Sequence, residues 1–310
     1  MMQSFKITMA NNATMSGIRS FPVAATATAR HVPLIVGLHG GTYNCQYFNA
    51  TPRFSASATS ASLGVPFIAI DRPGYGDTSS FPPLPEGSNF FVETGSWLHH
   101  HILPALWSEF GIPLGCTCIV LLCHSFGSMG GIVAAAKHGQ DPAPAYPLGG
   151  LILSGIGDAQ SEAMQNRPPP QPTADTGGVL FPLQFKDQVM FLPGTVDNEV
   201  LEHSARLNAL SPPAEMQQFP GNWLPVWKQD WAIHVRAPVM FALVQNDVFF
   251  KATEEEVKTC TQAFRTSSRV DGSLIKGAPH CMELSYWSQG WYARCFGFAL
   301  ECATSFALAA

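Results

Sequence analysis

A chain of 310 residues, 46% hydrophobic and only 13% charged, can bury a large core and is far too apolar for a disordered protein. Its formal net charge of −5 offers no basic surface, which argues against nucleic acid or an anionic membrane as partner. No uninterrupted apolar run approaches the roughly 18 residues of a membrane span.

The first residues, Met1-Met-Gln-Ser-Phe-Lys-Ile-Thr, lack the basic start and apolar centre of a secretory signal. The last, Ala307-Leu-Ala-Ala310, carry no peroxisomal, retention or prenylation signal. A cytoplasmic location is expected. The eight cysteines are scattered, and Cys116, Cys118, Cys123 and Cys295 lie in apolar runs, which predicts buried free thiols. Cys116 and Cys118 are too close for metal-finger spacing, so no metal and no cofactor is expected.

Strand and helix patterns alternate along the chain. Residues 4–9 and 16–22 predict an antiparallel hairpin, 32–39 a central strand, 52–63 a helix and 66–71 the next strand. A helix is expected over 91–110, stopped by Gly111 and Pro113. The apolar run Thr117-Cys-Ile-Val-Leu-Leu122 predicts a strand, followed by a small-residue helix from Phe126 to about His138. Strands are expected at 148–154, at 238–247 and at 272–280. Thr253 opens a helix to 266 with the Thr-x-x-Glu start of a capping box, and 283 onward reads as largely helical. This alternation predicts an α/β fold, a mostly parallel central sheet with helices on both faces.

Residues 158–235 break the rhythm. They begin with Arg167-Pro-Pro-Pro-Gln-Pro172, stiff by composition, and continue with short Pro-interrupted pieces rich in Phe, Met, Leu and Trp. An insertion this long in an α/β core predicts a helical cap over the site, with 1–157 and 236–310 forming the core. Trp223, Trp227 and Trp231 would form one stripe if that stretch is helical.

Three strand ends carry chemistry. Cys123-His-Ser-Phe-Gly127 joins strand to helix, and a serine on such a sharp turn needs small residues two positions to either side. Cysteine stands at the first of those positions, where glycine is usual. Asp247 ends the strand over 238–247, and His280 is the loop histidine that ends the strand over 272–280. The order Ser125, Asp247, His280 suits a nucleophile, a carboxylate that orients the imidazole and a general base. Asp158, after the preceding strand, is the rival acid. A developing oxyanion needs two backbone N–H donors, expected from Phe126 and from the loop His39-Gly-Gly-Thr42, with Gly41 first and Thr42 next. His39 is expected to be a scaffold hydrogen-bonder. Gly40, Thr42, Tyr43, Asn44 and Trp223 are the candidate substrate-binding residues. Packing is an equal alternative for Tyr43 and Asn44, and for Trp223 core packing of the cap is the leading reading with a substrate wall second.

Together His39-Gly-Gly, Asp71-Arg-Pro-Gly-Tyr-Gly-Asp-Thr-Ser79, the Ser125 turn, Asp247 and Gly277-Ala-Pro-His280 resemble the α/β-hydrolase superfamily along essentially the whole chain. The closer resemblance is to its capped members, in particular hydrolases of small hydrophobic compounds from fungi and bacteria, some in specialised-metabolite pathways. That resemblance implies the α/β-hydrolase fold with a cap and a Ser125–His280–Asp247 triad. Members with an aspartate nucleophile, the epoxide hydrolases and dehalogenases, are disfavoured by serine at 125.

His99-His-His101 does not read as a metal site, because successive helical residues point about 100° apart. The leading expectation is a serine hydrolase of the esterase, lactonase or thioesterase type, acting on a small to mid-sized hydrophobic metabolite through an acyl-enzyme. The aromatic, weakly charged insertion implies an apolar pocket. The alternative is a lyase, cyclase, isomerase or acyltransferase that uses the same Ser–His pair for proton transfer. A binding protein built on a retired hydrolase would be expected to show a broken triad. Substrate identity and oligomeric state are not readable.

Overall fold

The computed structural model describes residues 2–22, 29–165 and 178–309. The proline-rich run at 167–172 lies outside them. The apolar runs at 34–38, 67–70, 119–124 and 148–154 are buried along their whole length, the signature of strands covered on both faces. Eight strands form one sheet: β1 (Gln3–Thr8), β2 (Thr14–Ser20), β3 (Leu34–Leu38), β4 (Phe67–Ile70), β5 (Ile119–His124), β6 (Leu148–Ser154), β7 (Val239–Asn246) and β8 (Val270–Pro279). Their order is β1-β2-β4-β3-β5-β6-β7-β8. Pairings β1–β2 and β2–β4 are antiparallel, and the other five are parallel. The opening hairpin turns through Asn12, whose φ of 63° suits asparagine.

Helices cover both faces. The segments over Phe90–Trp97, Phe126–Gln140 and Glu254–Thr261 bury Phe91, Ile132, Val133 and Val257 against one face. Ala56–Leu63 and Ser288–Ala309 cover the other, where Trp291, Phe296 and Phe298 meet Phe67 and Met240. Among the described residues no helix is long and apolar enough to cross a membrane. All eight cysteines are free, and seven are buried.

The helix expected at 91–110 begins at Phe90, capped by the Asn89 side chain, but it is not uniformly wound. Leu103 N–H reaches the Leu98 carbonyl and Ile112 N–H that of Trp107, five residues back in each case. Pro104 explains the first widening, because it donates no N–H and its ring crowds the preceding turn. The wider turn presents His99 to the Tyr146 hydroxyl and to Asp141, both at 3.1 Å. The capping box at Thr253 is half made. Its hydroxyl accepts from Glu256 N–H at 3.1 Å, but the Glu256 carboxylate turns instead to the amides of Asp158 and Ala159.

Helix Phe90–Trp97 lies so close to Phe126–Gln140 that a methyl group on Gly95 would come within 2.3 Å of Val133 Cβ and 3.0 Å of Ala134 N. Gly95→Ala is therefore expected to lower stability by about 1–3 kcal/mol, measured as a reduced denaturant midpoint at unchanged slope.

Between β6 and β7 the chain forms short helices at Glu162–Gln165, Leu183–Met190, Asn198–Leu201 and Pro213–Gln218. Proline keeps them short, and among the described residues the segment holds no strand beyond isolated bridges such as Val179 to Ser211. Trp223 and Trp227 do share a face, their rings parallel within 12° at 6.4 Å, but only Trp227–Trp231 winds helically and residues 219–226 are turns.

Candidate active site

The two strands that follow β3 in the chain lie on opposite sides of it: β4 on one, β5 on the other. The loops leaving β3 and β5 therefore part, and a crevice opens between their C-terminal ends. Gly40, Gly41 and Ser125 stand at that crevice. Asp247 and His280 follow directly on β7 and β8.

Ser125 has φ 51° and ψ −125°, a conformation strained for any residue with a side chain. It is held by Ser125 N–H to the Ser154 carbonyl at 2.8 Å and by Ser128 N–H back to the Ser125 carbonyl. Gly127 lets the turn pass β3, since a Cβ there would lie 2.4 Å from the Leu38 carbonyl oxygen. Cys123 is accommodated because residue 131 is glycine: a Cβ at 131 would meet the thiol sulfur at 2.5 Å. Gly40 completes the close approach, its missing Cβ falling 3.0 Å from Ser125 Cβ.

His280 Nε2 lies 3.3 Å from Ser125 Oγ, and Nδ1 lies 2.8 Å from Asp247 Oδ2. An ionised carboxylate only accepts, so Nδ1 carries the proton and Nε2 faces the serine as acceptor. The other Asp247 oxygen accepts from the amides of Phe249 at 2.8 Å and Phe250 at 3.2 Å, which fixes the carboxylate plane. Asp158 is committed elsewhere, accepting from Trp227 Nε1 at 2.9 Å and Lys228 Nζ at 2.6 Å. Of the two carboxylates, Asp247 is the one that contacts His280.

The amides of Gly41 and Phe126 have no hydrogen-bond partner among the described residues and flank the serine turn. Thr42 does not compete as a donor: its N–H is spent on Ser211 Oγ at 2.8 Å, at φ 62°. His39 acts as scaffold, with Nδ1–H donating to the Gly40 carbonyl at 2.8 Å and Nε2 accepting from Arg72 N–H at 3.1 Å. Burial, then the Arg72 charge, holds its imidazole well below the usual histidine range, so it stays neutral.

The expected binding residues divide. Gly40 borders Ser125, whereas Asn44 caps the short Cys45–Phe48 helix through its side chain. Tyr43 is buried, its hydroxyl 3.5 Å from Cys281 Sγ and its ring edge-on to Tyr47. Trp223 is a core residue, 1% exposed and packed between Phe91 and Trp227. The surface near Ser125 comes from residues with no readable signal. Phe219 packs on Phe126 at 5.2 Å and on Phe250 at 6.0 Å, Phe249 lies edge-on to His280 at 4.5 Å, and Met216 lies over Gly41.

A second buried network supports the site from below. The His124 ring stacks on Tyr47 and lies 4.9 Å from His280, with Nδ1 3.1 Å from Ser154 Oγ and 3.5 Å from Glu283. Glu283 accepts from Tyr47, Ser154 and Trp291 at 2.7–2.9 Å. Burial still pushes its carboxyl above the ordinary range, while the donors pull it down. Gly155, at φ 63°, is required here, because a Cβ would lie 2.7 Å from the His124 ring and 3.1 Å from that of His280.

Residues 35–290 match the alpha/beta hydrolase family, and the chain belongs to that family. Among solved structures it is similar in fold to a highly thermostable carboxyl esterase from Bacillus coagulans, at 15% identity and TM-score 0.65 over 97% of this chain and 99% of that one. A thermophilic esterase from Thermogutta terrifontis gives 15% identity and 0.64, over 97% and 99%. A soluble variant of monoglyceride lipase from Saccharomyces cerevisiae gives 15% and 0.64, over 99% and 94%. No curated protein sequence matches.

Proposed function

We propose that the protein is a serine hydrolase that cleaves an ester, lactone or thioester of a small to mid-sized hydrophobic molecule through an acyl-enzyme. The observation that carries this reading is the unbroken chain Ser125–His280–Asp247 beside two unpartnered amides, Gly41 and Phe126. Ser125 Oγ attacks the carbonyl carbon as His280 Nε2 takes its proton, and Asp247 stabilises the imidazolium that results. The oxyanion is received by the Gly41 and Phe126 amides. His280 then protonates the leaving group, and water reverses the sequence on the acyl-serine. The separation of 3.3 Å between His280 and Ser125 is suited to shorten when substrate excludes water.

Residues 158–235 serve in this reading as a cap. Phe219 and Met216 lie near the serine turn with Phe126, Phe249 and Phe250, an apolar set of side chains that favours an uncharged acyl group. A second reading is supported by the same enclosure. His280 is 2% exposed, and with water kept out the acyl-serine would pass to another nucleophile, or the Ser–His pair would shuttle protons for a lyase or cyclase.

Labelling with a fluorophosphonate, alongside turnover of short-chain p-nitrophenyl esters, tests the proposal. Labelling lost in Ser125→Ala and His280→Ala, with ester turnover by wild type, is the expected result. Folded wild type that does not label would refute an activated serine. Labelling without hydrolysis of any ester, lactone or thioester would favour the second reading.

A further inference from the structure

Lys186 is 1% exposed, yet among the described residues its ammonium meets no carboxylate. Its three partners are neutral: the Thr42 carbonyl at 2.6 Å, the Leu207 carbonyl at 2.8 Å and Asn208 Oδ1 at 3.2 Å. The ammonium also sits 3.6 Å from the centre of the Tyr43 ring. A buried charge with neutral partners is costly, and burial pushes this one down to about 7. A methionine of the same length would fill the space more cheaply, so packing alone does not account for lysine.

What the ammonium holds is informative. Thr42 follows Gly41 and adopts a left-handed conformation that threonine does not favour. All its backbone contacts come from the 158–235 segment: its N–H goes to Ser211 Oγ, and its carbonyl accepts from Lys186 Nζ and from Ala209 N–H at 2.8 Å. Ser211 is itself aligned by the Tyr75 hydroxyl at 3.0 Å. Both peptide planes of Thr42 are thereby fixed, and the first of them begins at the Gly41 carbonyl. The Gly41 N–H lies one plane earlier, in the Gly40–Gly41 peptide, whose carbonyl is held by His39 Nδ1 at 2.8 Å. With Thr42 fixed on the other side, the two Gly41 torsions between the planes lose their freedom.

We propose that Lys186 and Ser211 are positioning residues for the oxyanion hole, clamping Thr42 from above so that the Gly41 amide points at the developing oxyanion. This rests on the acyl-transfer reading of the site. On this view the hole belongs to two parts of the chain: the core supplies both donors, and the inserted segment helps to hold the aim of one of them, Gly41. Three hydrogen-bond acceptors around one nitrogen match the three N–H groups of an ammonium, which a neutral side chain cannot reproduce.

The test compares wild type, Lys186→Met and Ser211→Ala. It reads kcat and KM on a p-nitrophenyl ester the wild type turns over, the inhibition constant of phenylboronic acid, and a thermal melt. A boronate becomes tetrahedral on the serine and needs the hole, whereas ground-state ester binding does not. Loss of a whole oxyanion donor costs about 10²–10³ in kcat. Mis-aiming one should therefore cost about 10- to 100-fold in kcat with KM within about twofold, and weaken the boronate in proportion, in both variants. Unchanged kcat, or a loss carried by KM alone with boronate affinity retained, would overturn the clamp. If Lys186→Met does not fold, Ser211→Ala decides by the same criteria. Fluorophosphonate labelling of wild type separates the two claims: no labelling removes the acyl-transfer reading and the clamp with it, whereas normal labelling with unaltered variants removes the clamp alone.

Discussion

Ser125→Ala is expected to reduce ester turnover by about 10⁴-fold or more, while leaving KM-type binding of the ester and the overall fold intact. The expectation follows from the geometry of the turn: among the described residues no other side chain presents a hydroxyl to His280 Nε2. What survives should be the small acceleration supplied by the two amides and by substrate enclosure. The same residue makes a separable claim about stability. Its φ of 51° penalises alanine as it does serine, but not glycine. Ser125→Gly should therefore melt above Ser125→Ala, by about 1 kcal/mol or roughly 2 °C. Two calorimetric scans check this, and a glycine variant that melts lower would show that the turn is not strained.

The second large effect concerns stability. Arg72 is fully buried on Glu215, and the Tyr75 hydroxyl also donates to that carboxylate. Burial opposes the charge on Arg72, but Glu215 and Tyr75 together outweigh it and hold the guanidinium above its ordinary range. Removing one partner strands a charge in the interior. Arg72→Met is expected to cost about 3–5 kcal/mol by chemical denaturation. The pair is imperfectly satisfied, since Arg72 Nε and Nη2 find no acceptor. The double variant Arg72→Met, Glu215→Leu should accordingly recover most of the loss, as buried ion pairs exchanged for apolar groups often do. Losses that simply add would show that the two side chains act independently.

The core strands and the three strand-end residues were readable because each is specified locally. A uniformly buried strand needs an unbroken apolar run, and a tight turn after it needs small residues, both of which lie within a dozen positions of Ser125, Asp247 or His280. The inserted segment was not readable in that way. Lys186 and Glu215 look like surface charges on short helices, and their partners lie 144 and 143 residues away. For Trp223 the sequence leaves core packing and a pocket wall both open, and its place against Phe91 makes it a core residue. Even the capping box at Thr253 depended on distance, because Glu256 found better donors at Asp158 and Ala159 than the local one. Met216 and Phe219, which touch Gly41 and Phe126, stand in a stretch too broken by proline to show a face.

The spacing of these contacts has a bearing on how the protein is made. His280 meets Ser125 across 155 residues, and Thr42 meets Ser211 across 169. Contacts this non-local carry the largest loop-closure cost and are formed late in folding. Ser125 is synthesised early, but Lys186, Ser211, Asp247 and His280 all arrive in later parts of the chain. On the proposed reading a half-made polypeptide thus carries a serine hydroxyl of ordinary reactivity, and chemical competence appears only with the finished architecture.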